Sequence, residues 1–448
     1  MGTQISFIGE RLRNSYWFVP TLMLLGAALL SWVTVQIDDA ADPEKLPWLG
    51  EIIFSGGTDG AREVLGTIAS SMITVAGVVF SITIVTLQLA STQFGPRMLA
   101  NFMRDRGNQV TLGTFVAGFL YSLLVLRTIR SGDDSVPHLS VTVALALAIG
   151  GLTVLIYFIH HVSTAIQAPN LIQAIAADLH RGIDHLFPDV DEVAEVHESD
   201  RRELPEGFAE RSRQIDVGSS GYIQAIDVER LVAVAGEHDL VVRLRTRAGR
   251  FVVPNTSFAQ AFPADRVTDE VAAELAGAIV TGARRTAQHD IEFPIKQMVE
   301  IAVRALSPGI NDPFTACTCV DQSGAGLCEI AGRRLPPPYL LDEDDALRVV
   351  VGDPVTFERL VGGAFDQVRQ SADFHASVYV HLLESLTRIV GCVRDGSRIE
   401  PLVREARLVV DAAERKVEAE ADQEVIEERY DAFLTAVEEA RAALGASA

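Results

Sequence analysis

Apolar residues crowd into four long runs before residue 162 and thin out afterwards. The runs fall at about 16–35, 64–90, 110–126 and 139–159, each near the ~20 residues that a helix needs to cross a bilayer. Four spans are therefore predicted. The first is followed by acidic residues rather than a small-residue cleavage site, so it reads as a span and not as a signal peptide. The second carries no charge, yet it is not uniformly apolar. At helical spacing Thr67, Ser70, Ser71, Thr74, Ser81, Gln88 and Thr92 fall within an arc of roughly 100°, with Gly77 beside it and Val78 and Val85 on it. Such a stripe can pack against other helices, since Ser70 and Thr74, and Gly77 and Ser81, have small-xxx-small spacing. It can also line a watery path, in which Val78 and Val85 form apolar constrictions.

The pattern changes after residue 162. An amphipathic helix is predicted over 165–187, then an acidic linker to 213. A strand over 222–226, a short helix capped by Asp227, and a hairpin turning at Ala248-Gly249 make a small module. From Thr268 onward the spacing is helical: 271–288, 293–306 with Pro294 in its first turn, a cysteine-bearing helix ending before Pro336, then 354–371, 374–394, 401–420 and 422–443. The expected fold is mainly α: a four-helix transmembrane domain plus a mostly helical cytosolic region containing a small α/β or β module. The expected divisions are 1–162 transmembrane, 163–213 connecting helix and linker, 214–262 β-containing module, and 263–448 helical cytosolic domain.

Charge refines this picture. Of 38 Lys and Arg and 60 Asp and Glu, residues 1–166 hold 9 and 11, and residues 167–448 hold 29 and 49. The acidic part is the part outside the spans, which argues against nucleic acid as a partner. Basic residues before the first span and between the second and third place both termini in the cytoplasm, at a bacterial plasma membrane; Arg127 and Arg130 run against that assignment. No acidic or basic residue lies within the central spans, so an ion-coupled pump is not expected. The four cysteines lack structural zinc spacing and read as small buried thiols; no metal and no cofactor are expected. P-loop, dinucleotide, His-Glu-x-x-His and Gly-x-Ser-x-Gly motifs are missing, so an enzyme is not the expectation.

Two further places carry candidate chemistry. Gly95, Pro96 and Arg97 should end the second span and set an interfacial anchor, with a hinge as the functional alternative. The segment from Arg304 through Ser307, Asn311 and Asp312 to Pro313 is a concentrated turn signal. It is either a structural turn or a loop for a small cytosolic ligand, with Arg284 and Arg285 as contributors if the helices fold back. Arg243, Arg245 and Arg247 alternate along a predicted strand and give a basic face, either solvated or in contact with an acidic subunit or lipid headgroups.

Three stretches resemble a bacterial family of predicted membrane proteins classed only as a domain of unknown function: SITIVTLQLASTQFGPRML at 81–99, SGYIQAIDVERLVAVAGEHDLVVRLRTRAGRFV at 220–252 and RALSPGINDPFTA at 304–316. The resemblance implies an integral membrane protein with a cytosolic C-terminal region and supplies no activity. GRFVVPN at 249–255 resembles locally the β-domain of small-conductance mechanosensitive channels. The chain departs from it by the helix expected after Asp227 and by lacking a Gly/Ala-rich pore helix before that domain. The functional expectation is a homo-oligomeric channel or conduit in the lipid bilayer, lined by the second span, with an acidic region that gathers cations. The alternative is a membrane-anchored sensor or scaffold whose cytosolic region binds a ligand or protein partner.

Overall fold

A computed structural model describes residues 17–40, 54–95, 105–129, 136–165, 167–187 and 203–445. The chain divides into two bodies, Met1–Asn170 and Leu171–Ala448.

The first body holds four helices long and apolar enough to cross a membrane. They are α1 (Phe18–Ala40), α2 (Thr58–Phe94), α3 (Arg106–Thr128) and α4 (His138–Ala165). Each of α2, α3 and α4 overruns its predicted span at both ends. Helix α2 has 37 residues. At a rise of ~1.5 Å per residue it reaches ~55 Å, well beyond the ~30 Å of a hydrocarbon core. The central helix is α3, which packs against α1, α2 and α4. Glycines make this possible: a Cβ at Gly113 would lie 2.5 Å from Met23 Sδ, so α1 and α3 approach closely there. Several buried polar groups bond to one another, as a dry interior favours, while Asn108 Oδ1 is buried with no hydrogen-bond partner among the described residues. Thr34 Oγ1 and Tyr121 Oη lie 2.9 Å apart, and Tyr121 donates to the Ser140 carbonyl at 3.1 Å. The carboxylates sit at helix ends and act as caps. Asp38 accepts from the Leu139 and Ser140 amides at 2.8 and 2.9 Å, and Asp105 accepts from the Gly107 amide at 2.8 Å and faces His161 at 2.6 Å.

In the second body α5 (Ala168–Leu186) buries Leu171, Ile172, Ile175, Leu179 and Ile183 at helical spacing. After a one-turn helix α6 (Phe208–Arg211), the chain forms β1 (Arg213–Asp216), β2 (Gly221–Ile226), α7 (Val228–Glu237), β3 (Val241–Leu244), β4 (Phe251–Val252), β5 (Ser257–Phe262), α8 (Asp269–Ala276) and β6 (Ile279–Gly282). Then come α9 (Glu292–Ala305), α10 (Pro313–Gly332), β7 (Tyr339–Leu341), β8 (Leu347–Val351), α11 (Phe357–Ser371), α12 (Ala376–Cys392), α13 (Ile399–Lys416) and α14 (Glu420–Gly445). Asp227 caps α7 by accepting from the Arg230 amide at 3.1 Å, as its sequence position predicts.

Two sheets form, in the orders β1-β5-β3-β8-β7 and β4-β2-β6. All pairs are antiparallel except β3 with β8. This corrects three expectations. The turn at Ala248-Gly249 is not a hairpin, because β3 pairs with β5 and β8 while β4 pairs with β2. The predicted helix 271–288 ends at Ala276, and the β-branched Ile279, Val280 and Thr281 continue as a strand on β2. Strands β7 and β8 complete a sheet that crosses the boundary expected at 262/263, so the residues on both sides of it fold together. Ile215, Ile223, Leu231, Val242, Phe258 and Val349 fill the core of these sheets.

Candidate functional site

The position of the polar stripe decides how α2 can work. Its inner face consists of Ala61, Leu65, Ile68, Ala69, Met72, Ala76, Val79, Thr83, Thr86 and Ala90, all buried. The stripe lies on the other side of the helix. Thr67, Ser70, Ser71, Thr74, Gly77, Val78, Ser81, Val85, Gln88 and Thr92 are all exposed. Packing against the other helices of the same subunit is therefore not its role. Exposed Ile73, Phe80 and Ile84 flank it on one side, and Ile82 and Leu89 on the other. Three of its hydroxyls bond to their own helix: Ser70 to the Thr67 carbonyl at 3.0 Å, Thr74 to Ser70 at 2.7 Å and Thr92 to Leu89 at 2.9 Å. Back-bonding of this kind keeps a hydroxyl satisfied while leaving its lone pairs outward.

The outward faces of α1 and α4 differ. They present Leu22, Leu25, Leu29 and Trp32, and Ile149, Leu152 and Ile156, each at least 60% exposed. Large aliphatic and aromatic side chains suit lipid. The face of α2 instead carries a stripe of mostly small, neutral, polar residues, interrupted by Val78 and Val85 and bordered by Ile, Phe and Leu.

Helix α2 stops where Gly95 predicts. Its φ of 100° is one that an L side chain rarely adopts, and its amide donates to the Ser91 carbonyl at 3.1 Å. Pro96 and Arg97, the rest of the candidate hinge, lie outside the described residues.

The turn between α9 and α10 spends its polar groups on itself. Ser307 donates to the Arg304 carbonyl at 2.6 Å, and the Asp312 amide donates to the Ala305 carbonyl at 2.8 Å. The Asp312 carboxylate caps α10, accepting from the Thr315 amide at 3.1 Å and its hydroxyl at 2.6 Å. Asn311 is exposed with φ 52°. Arg285 does not join this turn: it pairs with Asp290 at 2.6 Å, at the opposite end of α9. What the turn presents outward is apolar, Ile310 and the 82%-exposed Phe314.

A cluster of ions that sequence spacing does not reveal joins three distant segments. Arg247 is buried and holds Glu292 at 2.7 Å and Asp353 at 3.1 Å. Arg359 reaches the same two carboxylates at 2.9 and 3.0 Å, Lys296 reaches Glu292 at 3.1 Å, and Arg250 reaches Asp353 at 3.1 Å. Burial pushes the Glu292 carboxyl up, but Arg247, Lys296 and Arg359 outweigh it and hold it below the usual range. Asp353 is likewise held low against its burial by Arg250, Arg247 and Arg359. Asp290 is raised, because its burial outweighs Arg285. Of the basic face predicted on β3, Arg243 and Arg245 are exposed while Arg247 turns inward to this cluster.

The family model described as Predicted membrane protein (DUF2254) matches residues 13–388. The chain belongs to this family. This DUF2254 chain is 30% identical over 429 residues to the uncharacterized protein Mb1321c of Mycobacterium bovis and to the uncharacterized protein Rv1290c of Mycobacterium tuberculosis. The match covers 93% of this chain and 80% of each relative. No solved structure matches. DUF2254 membership fits the four apolar helices, and no likeness to mechanosensitive channels is shown.

Proposed function

We propose that this membrane protein is a homo-oligomeric conduit lined by the outward face of α2. One observation carries the reading: α2 turns a small, neutral, polar stripe outward where α1 and α4 turn Leu, Ile and Trp outward. A lone four-helix subunit gives such a face nothing but lipid. A closed ring of subunits gives it an axis. Around that axis Thr74 and Ser81 supply hydroxyls to permeating ions, and Val78 and Val85 form the narrow apolar rings that gate by dewetting. Both termini face the cytoplasm in this reading, and the acidic C-terminal body attracts cations on that side of the membrane.

Recording from the purified protein in planar bilayers tests it. Ser81→Trp is expected to cut unitary conductance at least several-fold by filling the path. Val85→Asn is expected to raise open probability by wetting the constriction. Silence of the unmodified protein across voltage, membrane tension and added cations defeats the proposal. Silence would leave a membrane-anchored scaffold, which the exposed Phe314 and Ile310 favour as a partner contact.

A further inference from the structure

We propose that the second body binds a phosphate-bearing small molecule in the cavity between the end of β3 and the chain from Phe251 to Ser257. Gln214, Arg245, Thr246, Phe251, Asn255 and Thr256 are the lining groups that matter in this cavity of about 380 Å³. It is a depression open to solvent, and its volume leaves room for a group larger than an inorganic phosphate.

The lining points to an anion. Arg245 is exposed, and among the described residues no carboxylate or hydrogen-bond acceptor holds its guanidinium, whereas Arg247, Arg250 and Arg359 are each held by carboxylates. The amides of Gln214 and Asn255 and the hydroxyls of Thr246 and Thr256 are likewise spent on no partner among the described residues. No described Asp or Glu lines the cavity, although Asp and Glu outnumber Lys and Arg by 49 to 29 from residue 167 onward. The ion cluster that begins at Arg247, two residues after Arg245, adds to the field. Among the described residues Arg247, Arg250, Arg285, Lys296 and Arg359 share Glu292, Asp353 and Asp290, so a positive surplus remains in an otherwise acidic body.

The local backbone holds these groups in place. Pro254 and Asn255 form a turn closed by the Thr256 amide, which donates to the Val253 carbonyl at 3.2 Å. Asn255 sits in it at φ 62°, a left-handed conformation that Asn tolerates. One wall is apolar: Phe251 is 58% exposed, and its ring is fixed edge-on against Tyr222 at 5.1 Å. A guanidinium that can grip two phosphate oxygens, a ring of amide and hydroxyl donors and a flat aromatic wall describe a phosphate ester with an aromatic or apolar portion. Two sources carry that chemistry: a soluble ester such as a nucleotide, and the headgroup of a phospholipid.

The test uses the full chain in phosphatidylcholine nanodiscs, titrated calorimetrically with adenosine 5′-monophosphate and with inorganic phosphate. Both are expected to bind, the ester more tightly. Arg245→Gln should weaken both about 10-fold or more, the loss of one charge-assisted pair. Phe251→Ala should weaken the ester several-fold and leave inorganic phosphate unchanged. Arg245 is exposed, so an unchanged melting temperature is expected and separates lost binding from lost folding. If a lipid supplies the phosphate, phosphatidylglycerol co-purifies with the unmodified protein and not with Arg245→Gln, and nanodiscs containing it suppress both titrations. The proposal is overturned if neither anion binds and no anionic lipid is retained, or if Arg245→Gln behaves like the unmodified protein in every arm.

Discussion

Arg247 ties together three distant segments of the second body. It is buried, it touches Glu292 and Asp353, and these belong to segments 45 and 106 residues away. Removing one partner of such a cluster strands the others, which costs about 3–5 kcal/mol. Arg247→Met should lower stability by about that amount at pH 7.5, read as a fall in melting temperature of the detergent-solubilised protein. The pH dependence fixes the cause. Glu292 and Asp353 are held below their usual range. Their contribution is therefore complete above the unfolded carboxylate values of ~4 and is lost as pH falls through the folded ones. In Arg247→Met the two carboxylates keep their burial and each loses one of its cations, so their values rise. The deficit against the unmodified protein should then shrink between pH 7.5 and 5, as the variant takes up protons first. Asp290, raised chiefly by burial and also by the Glu292 charge, titrates in both proteins. A deficit that stays constant with pH would mean that lost packing, not stranded charge, sets the cost.

Helix α10 works by smallness. It packs against α9, α11 and α12, and its buried face is Ala316, Cys317, Cys319, Ser323, Gly324 and Gly326 with few large residues. A Cβ at Gly324 would stand 1.9 Å from Ser385 Oγ, and one at Gly326 would stand 2.4 Å from a Leu179 methyl. Gly324→Ala should therefore destabilise by about 1–3 kcal/mol through overpacking, despite the better helix propensity of Ala. Ser385 Oγ is buried without a hydrogen-bond partner among the described residues, so Ser385→Ala alone should cost little. The double variant should recover part of the loss, and denaturant melts of the four proteins measure that coupling. Additive losses would show that the two helices yield elsewhere. Elements of this kind were legible in the sequence where caps and periodicity agree: Asp227 and Asp312 both cap the helices they precede, and the turn from Ser307 to Pro313 falls between α9 and α10. Strands β6, β7 and β8 were not legible. They are three to five residues long, β6 and β8 pair with β2 and β3 far off in the chain, and β7 adds only to β8. The ion cluster escaped for the same reason, since no local spacing relates Arg247 to Asp353. The stripe on α2 was legible as a face, but which side of the subunit it occupies depends on how α3 packs, and that is a tertiary fact.

At the scale of the molecule the open choice is what covers that stripe, and thiol chemistry separates water, protein and lipid. Cysteine placed at Thr74, Ser81 or Val85 should react with a charged, membrane-impermeant thiol reagent in the reconstituted protein if the face lines a wet path. Cysteine at Leu152 or Ile156, on the outward face of α4, should not react, because thiolate forms only where water reaches it. With Cys392 replaced by Ser, the remaining native thiols give a quiet background. Cys317 and Cys319 are buried, and burial pushes Cys317 up to about 11 and Cys328 to about 12, so few of these thiols are ionised at pH 7.5. Oxidation supplies the second reading. Near a symmetry axis, Ser81→Cys from neighbouring copies should form a disulfide-linked dimer on a non-reducing gel, whereas Leu152→Cys should not. Reaction together with cross-linking is the signature of a conduit. Cross-linking without reaction would keep the oligomer and replace the path by a dry small-residue interface. Neither would place the stripe in lipid, its hydroxyls satisfied by their own helix, and would retire the conduit altogether.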